Sequence, residues 1–209
     1  MSAAIPARSE AGEYPLKQML LCAVRLGLLE AAAMLLIGIG SRMLEGPAEA
    51  AVLGVLLVGA LLAVSFLPGL WLGSRDFEGI ARAAAVGLAA TIVFLAVDVT
   101  LFQPFGLYTH RWRDVGGGSN WWYHPIWWMA GTYLPWLGAW LLASRTARSG
   151  SPSPTGAAVV VLALTAVCGI AANLVHFPGA GWNVATFGVA FLPGLALATA
   201  VTALGARRK

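Results

Sequence analysis

The sequence predicts an all-α, polytopic integral membrane protein with six transmembrane helices. Six apolar segments, each about long enough to cross a bilayer, make up most of the 209 residues. Only 11% of the residues are charged, and the mean hydropathy is +0.78. A spanning helix needs about 20 apolar residues. Because backbone groups in lipid must be satisfied within the protein, and because these segments lack strand-like alternation, each is expected to be a helix.

The six predicted helices follow one another with short connections, at residues 17–40, 48–72, 79–102, 122–144, 156–175 and 182–205. The second, fourth and sixth each contain a proline in the same setting, an aromatic residue followed by Leu-Pro-x-Leu. These prolines are Pro68, Pro135 and Pro193. Proline removes a backbone donor from the helix, so we expect three kinked helices.

The chain divides into a polar N-terminal arm, residues 1–16, and one transmembrane domain, residues 17–209. The recurring prolines suggest a degenerate repeat of helical hairpins, a pattern found in membrane proteins whose sites lie between repeats. The alternative is that Leu, Pro and Gly are simply common in membrane helices. The hairpins would comprise residues 17–72, 79–148 and 156–209.

The distribution of basic residues predicts the orientation. In a six-pass topology nine Lys and Arg residues fall on one side, and only Arg42, Arg111 and Arg113 fall on the other. Positive residues stay on the cytoplasmic side, so both termini are expected there, in a bacterial-type inner membrane. The formal charge of +4 is spread over helix ends rather than clustered, which excludes a nucleic-acid partner.

Three ionisable residues lie well inside predicted spans, away from the helix ends: Arg25, Glu30 and Asp98. A charge at membrane depth costs about 3 kcal/mol on insertion scales, so such groups usually face protein or water and pair with one another. Interhelical pairing is the structural interpretation. The functional alternative is that Glu30 or Asp98 stays protonated and acts as a proton carrier or a general acid.

The three histidines map to the predicted outer side, above Asp98. They are His110, His124 and His176. Together with Asp98 they suggest a metal site, since imidazole and carboxylate suit zinc, copper or iron, and Asp98 and His124 are the candidate catalytic pair. Their spacing matches no metal motif, and hydrogen-bonded interfacial histidines or a haem held by His124 and His176 are alternatives. The sequence assigns no cofactor.

Seven of the nine tryptophans lie between Trp112 and Trp140. An aromatic belt at the outer membrane interface explains many of them. The density exceeds what anchoring needs, so we also predict a slot for a lipid tail, an isoprenoid, a quinone or a pigment. Its candidate ligand-binding residues are Trp121, Trp122, Trp127, Trp128 and Tyr108.

One stretch resembles a known family. Asp98, then Pro104-Phe105-Gly106 with Tyr108, then 125–128 (Pro-Ile-Trp-Trp), is similar to the acid, PFG-x-Y and Pro/Trp pattern of bacterial carotenoid hydratase and cyclase membrane proteins. The resemblance covers about thirty residues, and the acid is Asp where Glu is expected. It implies proton-assisted chemistry on a polyene, with Asp98 as the acid.

Three functions therefore follow from the sequence. The first is a membrane subunit that binds a partner protein, a lipid or a pigment through the Trp-rich outer-leaflet region. The second is a membrane-embedded enzyme or metal site acting on a lipophilic substrate. The third is a small transporter that uses Glu30. The partners to expect are membrane lipids, other membrane-protein subunits or a hydrophobic small molecule.

Overall fold

The fold is a bundle of six α-helices. The computed structural model describes residues 16–108, 123–151 and 153–206. Helix α3 continues directly into a single π-helical turn, Asp98–Phe102, before the chain leaves the bundle. The helices are α1 (Leu16–Met43), α2 (Gly46–Trp71), α3 (Phe77–Val97), α4 (Tyr123–Ser149), α5 (Pro154–Leu174) and α6 (Val184–Ala206).

The outer surface of the bundle is apolar. Five of the helices, all but α4, are long and apolar enough to cross a membrane. Large side chains such as Val55, Val189 and Val201 are 65–78% exposed. So much apolar surface is stable only when hydrocarbon surrounds it. The prediction of an all-α, multi-pass membrane protein is confirmed.

Helix α4 occupies the centre of the bundle. It packs on α2, α3 and α6, while α1 packs on α3 and α2, and α5 packs mainly on α6. Its Trp, Tyr and Pro content lowers its hydropathy, but at 27 residues it is as long as its neighbours. The largest buried cluster takes residues from all six described helices and includes Leu134, Leu141, Val161, Phe191 and Leu195.

Glycines on α4 allow its neighbours to approach closely. An added Cβ at Gly131 would lie 2.9 Å from the Cβ of Thr91 on α3, and one at Gly138 would lie 2.6 Å from the carbonyl carbon of Ser65 on α2. In lipid, the hydrophobic effect does not drive helices together, so they associate through van der Waals packing. Small residues at helix crossings allow the close approach that this packing needs. These contacts fix the position of α4.

Helix α4 extends five residues beyond its predicted end, to Ser149. Two arginines in this extra turn reach across to other helices. The guanidinium of Arg145 lies against Gly156 at the start of α5, and Arg148 donates to the carbonyl of Val201 on α6 at 3.5 Å. The last turn of α4 is therefore part of the bundle rather than of a linker.

The three predicted prolines, Pro68, Pro135 and Pro193, all lie inside helices, namely α2, α4 and α6. Pro135 packs against Gly87 of α3, where a Cβ would lie 3.1 Å from the proline Cβ. This placement confirms the prediction of proline-interrupted helices. The hairpin repeat stays a prediction.

Candidate functional site

The carboxyl group of Asp98 is the most enclosed polar group at one end of the bundle. Asp98 begins the π-helical turn and is 0% exposed. Its main-chain carbonyl accepts from the N–H of Gln103 at 2.9 Å, five residues on. The wider turn allows the Gln103 side chain to donate to Asp98 Oδ2 at 2.6 Å, while the hydroxyl of Tyr108 donates to Oδ1. Single π turns in α-helices occur frequently at functional sites.

The segment that carries Tyr108 is held by the end of α1. Gly106 adopts a φ of +62°, a conformation that glycine reaches without strain, and the chain then turns back toward Asp98. The guanidinium of Arg42 donates to two successive carbonyls, those of Gly106 and Leu107, the latter at 3.2 Å. The side chain of Leu107 fills the space left by Gly38 of α1.

Apolar and aromatic side chains enclose Asp98. The rings of Phe94 and Trp127 have centroids 4.7 Å apart, and the buried cluster around them includes Phe102 and Leu107. Hydrogen bonds in such a low-dielectric setting are strengthened. Within the described residues, the side chains of Gln103 and Tyr108 thus hold the carboxyl group of Asp98 in a fixed position.

The structure places two of the predicted ligand-binding tryptophans on opposite sides of α4. Trp127 turns inward onto Phe94, whereas Trp128 is 48% exposed and faces outward. Trp121, Trp122 and His110 lie outside the described residues, as does the side chain of His124. The aromatic slot at this end, and the catalytic role of His124, therefore stay predictions.

His176 follows the end of α5, is exposed and has a φ of +52°, the left-handed conformation in which many helices terminate. Helix α5 packs mainly on α6, whereas α3, which leads into Asp98, packs on α1, α2 and α4. Within residues 16–108, 123–151 and 153–206, no three His, Cys, Asp or Glu residues are grouped as metal ligands would be. The metal site predicted from Asp98, His110, His124 and His176 stays a prediction, because His110 and the side chain of His124 lie outside the described residues.

The two intramembrane charges of α1 differ in their surroundings. Arg25 is exposed on the outer face of the helix, and in the described part of the chain it forms no ion pair. Glu30 is only 7% exposed, and its buried Oε2 has no hydrogen-bond partner among the residues described. Neither group shows the interhelical pairing that the structural interpretation expects.

A row of large side chains lies along the outward side of α4. We call it the α4 aromatic face; it comprises Met129, Tyr133, Trp136 and Trp140. Met129, Tyr133 and Trp140 are 41–54% exposed, and Trp136 is half-buried. Spacings of four, three and four residues place them on one side of a helix.

The α4 aromatic face includes the midpoint of its helix. Tyr133 is the eleventh and Trp136 the fourteenth of the 27 residues of α4, so both lie within about 5 Å of its midpoint along the axis. Belt residues sit at the two membrane interfaces, which the ends of a spanning helix reach. A belt at one interface is therefore not expected to include these two side chains.

A cleft of about 510 Å³ opens between α3 and α4, toward the end of the bundle that holds the α2–α3 connection. Phe77, Trp136 and Trp140 line it with aromatic rings, and the rings of Phe77 and Trp136 meet edge to face at 6.2 Å. Its volume lies within the usual range for small-molecule sites, about 300–1,000 Å³.

The mouth of this cleft carries charge. Arg75 is exposed and forms no ion pair with any residue that the structure describes. The neighbouring Asp76 is engaged locally, because its Oδ1 accepts from the main-chain N–H of Gly79 at 2.7 Å and so caps α3. The mouth therefore carries one guanidinium and one carboxylate, and only the carboxylate is fixed by a hydrogen bond to the main chain.

This cleft was not predicted from the sequence. The doubled tryptophans were chosen because of their local density, and the pocket was predicted at the outer end of the bundle. The heptad-like spacing of residues 129, 133, 136 and 140 was the available signal. Phe77 and Arg75 carry no such signal, because only the packing of α3 on α4 brings them to Trp136.

A second groove, of about 420 Å³, lies between α2, α5 and α6. Small and aliphatic side chains such as Ala50, Gly54 and Leu57 form most of its wall, with Trp182 and Asn183 at its rim. No Asp, Glu, Lys or Arg lines it. This groove could therefore bind a ligand mainly through apolar contacts, whereas the α3–α4 cleft combines aromatic rings with a charged group.

Known proteins do not add to this assignment. The resemblance to carotenoid hydratases and cyclases covers residues 98–128, and 109–122 of that stretch lie outside the described residues. The chain matches no family model, no curated protein and no solved structure, so the site has to be interpreted from its own chemistry.

Proposed function

We propose that this chain is an integral membrane protein that binds an amphipathic lipophile in the α3–α4 cleft. The observation that carries the proposal is the aromatic lining of the cleft, where Trp136 and Trp140 of the α4 aromatic face lie beside Phe77. Such side chains are suited to a ring-bearing or unsaturated ligand, because aromatic faces stack.

The cleft has a polar and an apolar part. Phe77, Trp136 and Trp140 would contact the apolar body of the ligand, and Arg75 would face its head. A guanidinium binds carboxylate or phosphate oxygens well, so the ligand class is a lipophile with an anionic or strongly polar end, such as a phospholipid, a quinone or an isoprenoid phosphate.

The contribution of each ring is large enough to measure. Burying one large apolar side chain against a ligand is worth about 1.5–3 kcal/mol, which corresponds to a factor of about 10 or more in affinity. We therefore expect Trp140→Ala to reduce the amount of co-purifying lipophile by about tenfold. Trp128→Ala, at an exposed position outside the cleft, is the matched control and should leave that amount unchanged.

The experiment compares extracts of the purified proteins. The wild type, Trp140→Ala, Arg75→Ala and Trp128→Ala are purified in the same detergent and extracted with organic solvent, and the extracts are quantified by mass spectrometry. The proposal expects one class of molecule that is depleted in the first two variants only. Equal amounts of every lipophile in all four proteins would contradict it.

A second function is favoured by a separate observation, the full burial of Asp98 between Tyr108 and Gln103. An enclosed carboxyl group next to aromatic side chains fits acid-base chemistry on a lipophilic substrate. On this proposal, Asp98 transfers the proton and Tyr108 orients the carboxyl group. It agrees with the chemistry implied by the PFG-x-Y resemblance.

Extracts also test this second function. If Asp98 acts as the acid, wild type should contain converted product, and Asp98→Asn should contain the unconverted molecule with a different mass. Tyr108→Phe should convert more slowly while binding equally well. Identical extracts from wild type and Asp98→Asn would exclude turnover of the bound molecule and leave only the binding function.

Two further statements belong to the proposal. Both termini are proposed to face the cytoplasm, because nine of the twelve Lys and Arg residues other than Arg25 are predicted to lie on that side. A protein partner is proposed to use the same α4 aromatic face. Cysteine accessibility at the two ends of the bundle tests the first statement, and co-purification of a second chain that Tyr133→Ala abolishes tests the second.

A further inference from the structure

Glu30 lies at the centre of the first helix and belongs to neither of the two sites described above. It is the fifteenth of the 28 residues of α1. Its side chain is more than nine-tenths buried, and Oε2 has no hydrogen-bond partner in residues 16–108, 123–151 or 153–206. A buried oxygen without a partner costs several kcal/mol in hydrocarbon.

The packing of α1 on α3 places Glu30 in the seam between them. One turn before it, Gly27 touches α3 so closely that a Cβ there would lie 2.5 Å from the carbonyl oxygen of Ala90 and 2.7 Å from the Cβ of Val93. The next residue, Ala31, belongs to the buried cluster of Phe94. Glu30 is thus on the protein-facing side of α1.

In the described part of the chain, no cation forms an ion pair with this carboxyl group. Arg25 is five residues away on the same helix, about 140° around its axis, and is exposed on the opposite side. On α3 the residues between Arg82 and Asp98 are all uncharged, and α2 carries no charge between Glu49 and Arg75. An ionised carboxylate here would be uncompensated, whereas a protonated acid is neutral and can donate to a nearby carbonyl.

We propose that Glu30 is a proton-binding site in the middle of the membrane, and that it exchanges its proton with solvent along the α1–α3 seam. The site does not depend on the α3–α4 cleft or on Asp98. Its ligand is the proton. A monovalent cation bound by an ionised carboxylate is the alternative that the test separates.

Infrared spectroscopy of the protein in lipid bilayers measures the protonation directly. We expect a C=O stretching band of a protonated carboxylic acid that is lost in Glu30→Gln, retained in Asp98→Asn and shifted in D₂O. Raising the pH should reduce the same band. If Glu30→Gln does not fold, Glu30→Met, which has a similar length, takes its place.

Each other outcome overturns the proposal. Loss of only a carboxylate band in Glu30→Gln would show an ionised group, and dependence of that band on sodium or potassium would identify the cation site instead. A protonated-acid band that is lost in Glu30→Gln but does not shift in D₂O after prolonged exchange would show a static, structural acid. In none of these cases is the α3–α4 cleft affected.

Discussion

The crossing of α2 and α4 offers a quantitative test of how the central helix is held. A methyl group added at Gly138 would lie 2.6 Å from the carbonyl carbon of Ser65 and closer still to its oxygen. The obstacle is the main chain of a helix, so it cannot rotate away. Ordinary contact between carbon atoms begins at about 3.5 Å, and Gly138→Ala must therefore separate the two helices by roughly 1 Å.

The energetic consequence follows from that separation. A gap of about 1 Å removes up to half of the dispersion energy of the facing atoms. Overpacking typically costs about 1–3 kcal/mol. The higher helix propensity of Ala compared with Gly offsets at most about 1 kcal/mol of this cost. Because α4 contacts three other helices closely, we expect Gly138→Ala to lower the free energy of unfolding by about 2 kcal/mol.

Gly59→Ala is the matched control on α2, because an added Cβ there has nothing within 4 Å. It should leave stability unchanged or raise it by up to about 1 kcal/mol. Both variants are unfolded in mixed micelles with increasing denaturing detergent, and helix content is followed by circular dichroism. If the two midpoints shift equally, the close contact at Gly138 does not hold α4, and the reasoning fails.

Variants at three other positions test the remaining contacts. Arg42→Ala should destabilise the protein by about 1–2 kcal/mol, because two main-chain carbonyls lose a charged donor, and Arg42→Lys should recover part of the loss in the same unfolding assay. Asp76→Ala should cost about 1 kcal/mol through loss of the α3 cap, whereas Asp76→Asn should cost only a few tenths; equal losses would show that the bond to Gly79 contributes nothing. Tyr108→Phe should cost about 1–3 kcal/mol, since buried Asp98 loses a donor, and an unfolding midpoint identical to wild type would contradict the hydrogen bond.

Sequence reasoning predicted the helices well because hydropathy reports directly on the surrounding solvent. All six were expected, and the boundaries moved by a few residues at most, except at the end of α4. There the helix was predicted to end at Ser144, because residues 145–155 contain the Ser, Pro and Gly residues typical of a flexible linker. The contacts of Arg145 and Arg148 with α5 and α6 explain why the helix continues.

The candidate sites were predicted only in part. Asp98 and Tyr108 were both singled out, since an acid in a membrane segment and an aromatic near it are visible in the sequence. Gln103 and Arg42 were not chosen, because their roles come from a π turn and from a contact across more than sixty residues. No local pattern encodes either.

The amino-acid sequence alone determined the fold class, the number of helices and the positions of their prolines, because lipid accepts only long apolar segments with satisfied backbones. Tertiary structure decided which faces of those helices meet. The packing of α3 on α4 brings Phe77 next to Trp136, although they are far apart in the sequence. The turn after α3 brings Tyr108 back to Asp98, ten residues before it. Helix packing in lipid depends on the shapes of small and large side chains rather than on hydropathy, and composition does not record those shapes.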